Sequence, residues 1–135
     1  MIISIHQPNF FPWMGFFNKL NESEKFVFLT EAYRSKNDKY LTRTKILNNS
    51  KSIYLSIPLG IKQLKINQLE MPIENNWKIK ALNKINAGYA ATNHYEDSIP
   101  LVKEMIMYDT KYFSDYSTNI IISLIKKFAI NTEIF

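Results

Sequence analysis

The chain has 135 residues, 46% of them hydrophobic, and 17 basic against 12 acidic side chains give a net charge of +5 at pH 7. This length suits one domain that buries roughly two thirds of its unfolded surface, and nine Phe, eight Tyr and two Trp offer far more burial than a disordered chain uses. The lack of cysteine excludes disulfides, thiolate nucleophiles and Cys-ligated metals, and with neither a signal peptide nor a run of about 18 apolar residues the chain is expected to be cytoplasmic.

In chain order, Ile2-Ile3-Ser4-Ile5-His6 alternates and is β-branched, which predicts a short strand. A stiff connection follows, Gln7-Pro8-Asn9-Phe10-Phe11-Pro12, with Pro12 suited to the first position of a helix. Trp13, Phe16, Phe17 and Leu20 then form one apolar helical face, closed by Asn21-Glu22-Ser23. Residues 25–30 are apolar on both faces, the pattern of an interior strand.

Residues 34–51 carry six basic side chains and one acid, Asp38, so this window accounts for the whole net charge. Both arginines lie within it, and guanidinium grips phosphate or carboxylate in a bidentate fork. It reads either as an anion-binding segment or as a solvated loop with Lys tips, and its secondary structure is left unassigned. Beyond it, 52–58 alternates as a strand and 66–73 is a weaker strand candidate. Three helices follow. The first is capped by Asn75 or Asn76 and stacks Trp77, Ala81, Ile85 and Tyr89, with Lys78 and Lys80 read as surface. The second uses Tyr95, Ile99, Val102, Met105 and Ile106, and the third, capped by Ser114 or Asp115, uses Tyr116, Ile120, Leu124, Ile125 and Phe128. Residues 132–135 begin one more strand.

This order predicts an α/β fold, a layered mixed sheet with flanking helices, in one domain over 1–135. The chain stops on an apolar, strand-like Glu133-Ile134-Phe135, so it is expected to be truncated at the C-terminus, the front portion of a longer domain.

In open α/β sheets, ligands collect beyond the carboxyl ends of strands. His6, Gln7 and Asn9 occupy that place if the first strand is parallel to its neighbour, and Glu31 shares the edge if the second strand runs the same way. Imidazole is the natural general base near neutral pH, and the Gln and Asn amides orient an amine, hydroxyl or sugar. The bland alternatives are a strand-capping histidine, a proline-shaped turn and a solvated strand-end acid. Arg43 and Lys45, then Lys36, are the basic candidates. His94 reads as a polar loop residue. There is no P-loop, G-x-G-x-x-G or H-E-x-x-H, and two histidines with few neighbouring acids argue against a transition-metal site. No cofactor is expected.

The opening I-x-H-Q-P-N-F-F-P-W-x-G-F-F-x-K resembles the N-terminal signature of the WbqC-like protein family of bacterial surface-polysaccharide gene clusters. The likeness continues through Phe26-Val27-Phe28, Arg43-Thr44-Lys45-Ile46-Leu47, Ser56-Ile57-Pro58, Trp77-Lys78-Ile79-Lys80 with Tyr89, and the Tyr95 helix. Two departures stand out: Thr30-Glu31 replaces an acidic pair, and Thr42-Arg43-Thr44-Lys45 replaces Asn-Arg-Asn-Arg. The family's aromatic in the basic segment corresponds to Tyr40. The resemblance implies a part in O-antigen assembly, with glycyl or aminoacyl transfer to an amino sugar suggested for some members; with the basic segment read as a phosphate site, the expectation is a transferase that modifies a nucleotide-activated amino sugar. On that reading His6 is the base, Gln7 and Asn9 orient the nucleophile, and Glu31 holds the imidazole or a sugar hydroxyl. Trp13, Lys36, Tyr40, Arg43 and Lys45 bind the sugar and its phosphates. The competing classes are a basic nucleic-acid module stacking bases on Phe10, Phe11, Trp13, Tyr33 and Tyr40, and a catalytically incomplete interaction subunit. Charge balance outside 34–51 disfavours nucleic acid.

Overall fold

The computed structural model describes residues 1–60 and 63–135. It is a mixed α/β fold whose strands divide between two small open sheets. The first sheet joins β1 (Ile3–His6), β2 (Lys25–Phe28) and β5 (Glu133–Ile134), all parallel, with β2 in the centre. Strand β2 is thus the interior strand that its pattern predicts, hydrogen-bonded on both edges. Helix α1 (Met14–Asn21) makes the crossover from β1 to β2. It buries Phe16, Phe17 and Leu20 against Phe26.

The second sheet is a hairpin, β3 (Arg43–Asn48) with β4 (Lys51–Ser56). Its turn residues Asn49 and Ser50 have φ of 47° and 63°, the paired left-handed geometry of a two-residue type I′ turn. Here the basic window resolves. Residues 35–42 are loop, and 43–48 are an amphipathic strand whose Arg and Lys had masked its alternation. The weak strand candidate at 66–73 is instead a 3₁₀ turn, Ile66–Gln68, flanked by isolated bridges from Lys65 to Tyr33 and from Glu70 to Tyr112.

Three helices complete the fold: α2 (Asn76–Tyr89), α3 (Tyr95–Met107) and α4 (Phe113–Lys127). Helix α1 starts two residues after Pro12, with Trp13 as its N-cap, and α4 starts at Phe113, one residue before the expected cap. The larger core gathers Phe10, Leu41, Leu55, Trp77, Ile106 and Tyr116; the smaller gathers the α1 aromatics with Phe26, Ile121 and Ile125. Helix α4 feeds both, and Leu124 packs against each.

Lys78 corrects the surface reading given to it, since it is 3% exposed. Its ammonium donates to the Tyr108 carbonyl at 2.8 Å and lies 5.6 Å from the Tyr116 ring. The helix turns this position inward because Trp77 and Ala81 beside it belong to the core. Burial lowers the Lys78 pKa, opposed by attraction to Asp109. Among the described residues no helix is long and apolar enough to cross a membrane.

Candidate functional site

Strands β1 and β2 run parallel in register, with His6 opposite Phe28 and the Leu29 amide donating to the His6 carbonyl at 2.9 Å. The segment that follows β1 therefore emerges at the carboxyl edge of the sheet. It turns at once: the Asn9 amide donates to the Gln7 carbonyl at 3.0 Å, across the buried Pro8. The next amide, Phe10 N–H, donates to the Leu41 carbonyl at 2.8 Å, and the Phe10 ring enters the core beside Tyr116. One backbone bond thus clamps the N-terminal connection against the end of the basic loop, bringing together residues some thirty positions apart in sequence.

Phe11 then adopts φ of 43°. This left-handed conformation is strained for a non-glycine residue and persists only where surrounding contacts enforce it. Phe10 is such a contact, with the two rings 5.0 Å apart edge to face. Trp13 follows, 71% exposed, its indole lying over Gly15, where any β-carbon would overlap the six-membered ring. The W-x-G spacing is therefore a packing requirement, because the bare helix backbone is the surface on which the indole rests.

Between these residues and the hairpin lies a cleft of about 650 Å³. It brings together five of the candidates, Asn9, Trp13, Tyr40, Arg43 and Lys45, and adds Phe10, Phe11, Pro12, Met14 and Thr44 to the wall. The Arg43 guanidinium is braced on two sides. Its Nε donates to the Lys39 carbonyl at 2.6 Å, and its carbon lies 4.4 Å over the Tyr54 ring. Lys45, directly opposite Tyr54 in the hairpin, holds its ammonium 5.7 Å from the same ring. Tyr54 was missed in the sequence; its place across from Lys45 becomes legible only once Asn49-Ser50 is read as a hairpin turn. The four ion pairs among the described residues are Met1 N-terminus–Glu24, Lys25–Glu133, Lys65–Glu31 and Lys111–Glu70. None engages Arg43 or Lys45.

Asp38, the single acid in the basic window, spends its charge on the backbone: one carboxylate oxygen accepts from the Tyr40 and Leu41 amides, each at 2.9 Å. This sets the loop that presents Tyr40. Arg34, the other arginine, is structural, donating to the Gly60 carbonyl at 2.6 Å and to Thr42 Oγ1 at 3.4 Å. The cleft therefore has one arginine, one lysine and no facing carboxylate among the described residues. Its further polar feature is Asn9 Oδ1, which is buried and has no hydrogen-bond partner there.

The remaining candidates stand apart from the cleft lining. His6 packs edge to face on Phe16, with ring centroids 5.1 Å apart, and its Nδ1 is 2.9 Å from the Gln7 carbonyl. A carbonyl only accepts, so Nδ1 carries the proton in that bond and Nε2 of the neutral ring is the basic nitrogen. The Gln7 carbonyl thus serves both His6 and Asn9. Glu31 is drawn away because 30–34 runs antiparallel to 64–67, and its carboxylate lies 3.8 Å from Lys65 in an exposed ion pair. Lys36 is exposed on the loop. Among the described residues no three His, Asp or Glu side chains cluster as a metal site.

No curated protein and no solved structure matches this chain significantly. The model of the WbqC-like protein family does match, over residues 7–135, and takes in the clamped connection, the hairpin and all four helices. By that match across nearly its whole length, the chain belongs to the WbqC-like protein family.

Proposed function

We propose that this protein is a transferase that modifies a nucleotide-activated amino sugar in bacterial surface-polysaccharide synthesis, by glycyl or other aminoacyl transfer. The observation that carries this reading is the cleft in which a braced Arg43 and Lys45 face exposed Trp13 and Tyr40. The guanidinium and ammonium, neither held in an ion pair among the described residues, suit the phosphates of the activated sugar. Aromatic faces suit the apolar face of a sugar ring or a nucleobase. Asn9 also lines the cleft, and its side-chain amide suits the orientation of a sugar hydroxyl or amine. His6, with Nε2 as its basic nitrogen, takes the proton of the attacking amine or hydroxyl, and the Gln7 carbonyl holds its ring through Nδ1, while Glu31, turned toward Lys65, has no part in this step.

The test is a thermal-shift series at low and high salt, comparing nucleotide-activated amino sugars with a short RNA and a short DNA. The reading expects stabilisation by a nucleotide sugar, largely independent of salt and lost in Arg43→Ala. His6→Ala should retain the fold and the ligand-induced shift but lose turnover. Shifts caused only by the oligonucleotides and erased by salt would overturn it in favour of a nucleic-acid module, whose affinity falls steeply as counterions compete.

A further inference from the structure

A second cavity, of about 360 Å³, lies beside the cleft, between the β3–β4 hairpin, α2 and α3. Its walls include Ile46, Leu55, Ile85, Ile99 and Val102. Thr44, Lys45, His94 and Ser98 also line it, and three further polar side chains that reach it are engaged within the protein. Tyr89 Oη accepts from the Leu47 amide at 3.0 Å, Tyr95 Oη donates to Asn86 at 2.7 Å, and Thr92 Oγ1 donates to the Tyr89 carbonyl at 2.7 Å. What these groups offer a ligand is chiefly hydrocarbon surface, and the cavity's size falls in the range that holds small organic groups.

Phe11, Thr44 and Lys45 line both spaces, so the apolar cavity and the cationic cleft adjoin along these three residues. The strained residue of the N-terminal connection stands at that junction. Strand β3 adds a polar element to it. Because the two-residue turn closes on the Asn48–Lys51 pair, alternate residues Arg43, Lys45 and Leu47 point their backbone N–H and C=O away from β4. Tyr89 occupies this edge at Leu47, which leaves the stretch at Arg43 and Lys45 beside the cleft.

We propose that the apolar cavity is a second subsite of the same centre, and that it takes the hydrocarbon chain of an amphipathic ligand whose phosphate-bearing head lies against Arg43 and Lys45. The ligand class is a phosphate ester carrying a medium-length alkyl or acyl chain. This deepens the transferase reading and rests on it for the cationic half of the site. A ligand that was anionic throughout would leave the adjoining cavity unused, and a purely apolar one would leave two cations without a counter-charge.

The test is calorimetric titration of the protein with inorganic phosphate and with butyl, hexyl, octyl and decyl phosphate, each below its aggregation concentration. The subsite requires affinity to rise about threefold to fourfold per added methylene until the cavity is full, and then to level off. Val102→Phe, which fills the cavity, should flatten that series and leave phosphate binding unchanged; Ile99→Phe is the second variant should the first melt early. Arg43→Ala should weaken every member by a similar factor. A flat series in the wild-type protein, with phosphate still bound through Arg43, would overturn the subsite and leave the cleft reading standing. A rising series indifferent to Arg43→Ala would mean that the chain binds without the cleft, which removes the shared-site proposal and the phosphate role of Arg43 together.

Discussion

Gly88 lies in the last turn of α2, where alanine normally stabilises a helix by about 0.5–1 kcal/mol. Here the sign should reverse. A β-carbon at Gly88 would overlap the carbonyl oxygen of Leu47 and sit 3.1 Å from the Leu47 carbonyl carbon and 3.5 Å from the Asn48 α-carbon. All three atoms belong to the backbone of β3, so no side chain can swing aside. Helix and strand must part by roughly an ångström, against a close-packed interior that resists such shifts. Overpacking of this kind costs about 1–3 kcal/mol. The separation also strains the bond from the Leu47 amide to Tyr89 Oη, 3.0 Å long and one residue from the clash, worth about 1 kcal/mol. Subtracting the helix gain leaves Gly88→Ala destabilised by about 1–3 kcal/mol, or a melting temperature lower by roughly 3–10 °C in a chain of this size. Urea denaturation followed by circular dichroism measures it directly. If Gly88→Ala proves as stable as the wild type, α2 does not approach β3 as described, and the apolar cavity between them loses its wall.

Lys78→Met should be as stable as the wild type or more so at neutral pH. The buried ammonium pays desolvation against one carbonyl bond, and an apolar side chain of similar length avoids that cost. Because burial lowers the folded-state pKa below 10.5, the wild type binds fewer protons folded than unfolded as pH falls below 10.5. Wild-type stability therefore rises with pH through the window between the folded pKa and 10.5, and the advantage of Lys78→Met should shrink over that window. Chemical denaturation at several alkaline pH values checks this, and an advantage that grew with pH would contradict it. Gly15→Ala should displace the Trp13 indole, shifting tryptophan emission in a Trp77→Phe background and weakening nucleotide-sugar binding without loss of stability. An unchanged spectrum would place the indole elsewhere. Asp38→Ala should cost about 1 kcal/mol by freeing the Tyr40 and Leu41 amides. The loss should appear as faster hydrogen exchange in residues 38–41, while Asp38→Asn keeps most of the protection.

The sequence made legible what depends on local pattern. Phe16, Phe17 and Leu20 announce α1, whereas Trp13, expected on the same face, is its exposed N-cap; the three later helices are set by their stacked apolar residues. The parallel placement of β1 and β2 was the condition on which His6 and Glu31 were selected, and the register meets it. What local pattern could not carry was distance. The Phe10–Leu41 bond joins two loops with no shared periodicity, so nothing in either segment signals the other. Glu31 reaches the edge as expected, but the pairing of 30–34 with 64–67 leads its carboxylate toward Lys65. Strand β3 was hidden because Arg43 and Lys45 on its outer face look like a charge run until Ile46 opposite Ile53 shows the alternation. Residue type points Lys78 outward, but helical phase sets it beside Ala81 on the buried side of α2.

Among the described residues, α4 is the one helix that supplies buried residues to both cores, Tyr116 and Ile120 to the larger and Ile121 and Ile125 to the smaller, with Leu124 touching each. Neither core can therefore open while α4 stays fully packed on the other. Removing the helix from the parallel sheet exposes the α1 aromatics, and removing it from the hairpin side strips Trp77 and Phe10 of Tyr116. The cooperative unit is then larger than either sheet. Slow amide exchange should be deepest at 116–125 and should report the global unfolding free energy there, while the β3–β4 tip opens locally at far lower cost. The cleft lies at the other end of the hairpin, where Arg43 pairs with Ser56 beside the Phe10–Leu41 clamp, so the tip can open without disturbing the cleft wall.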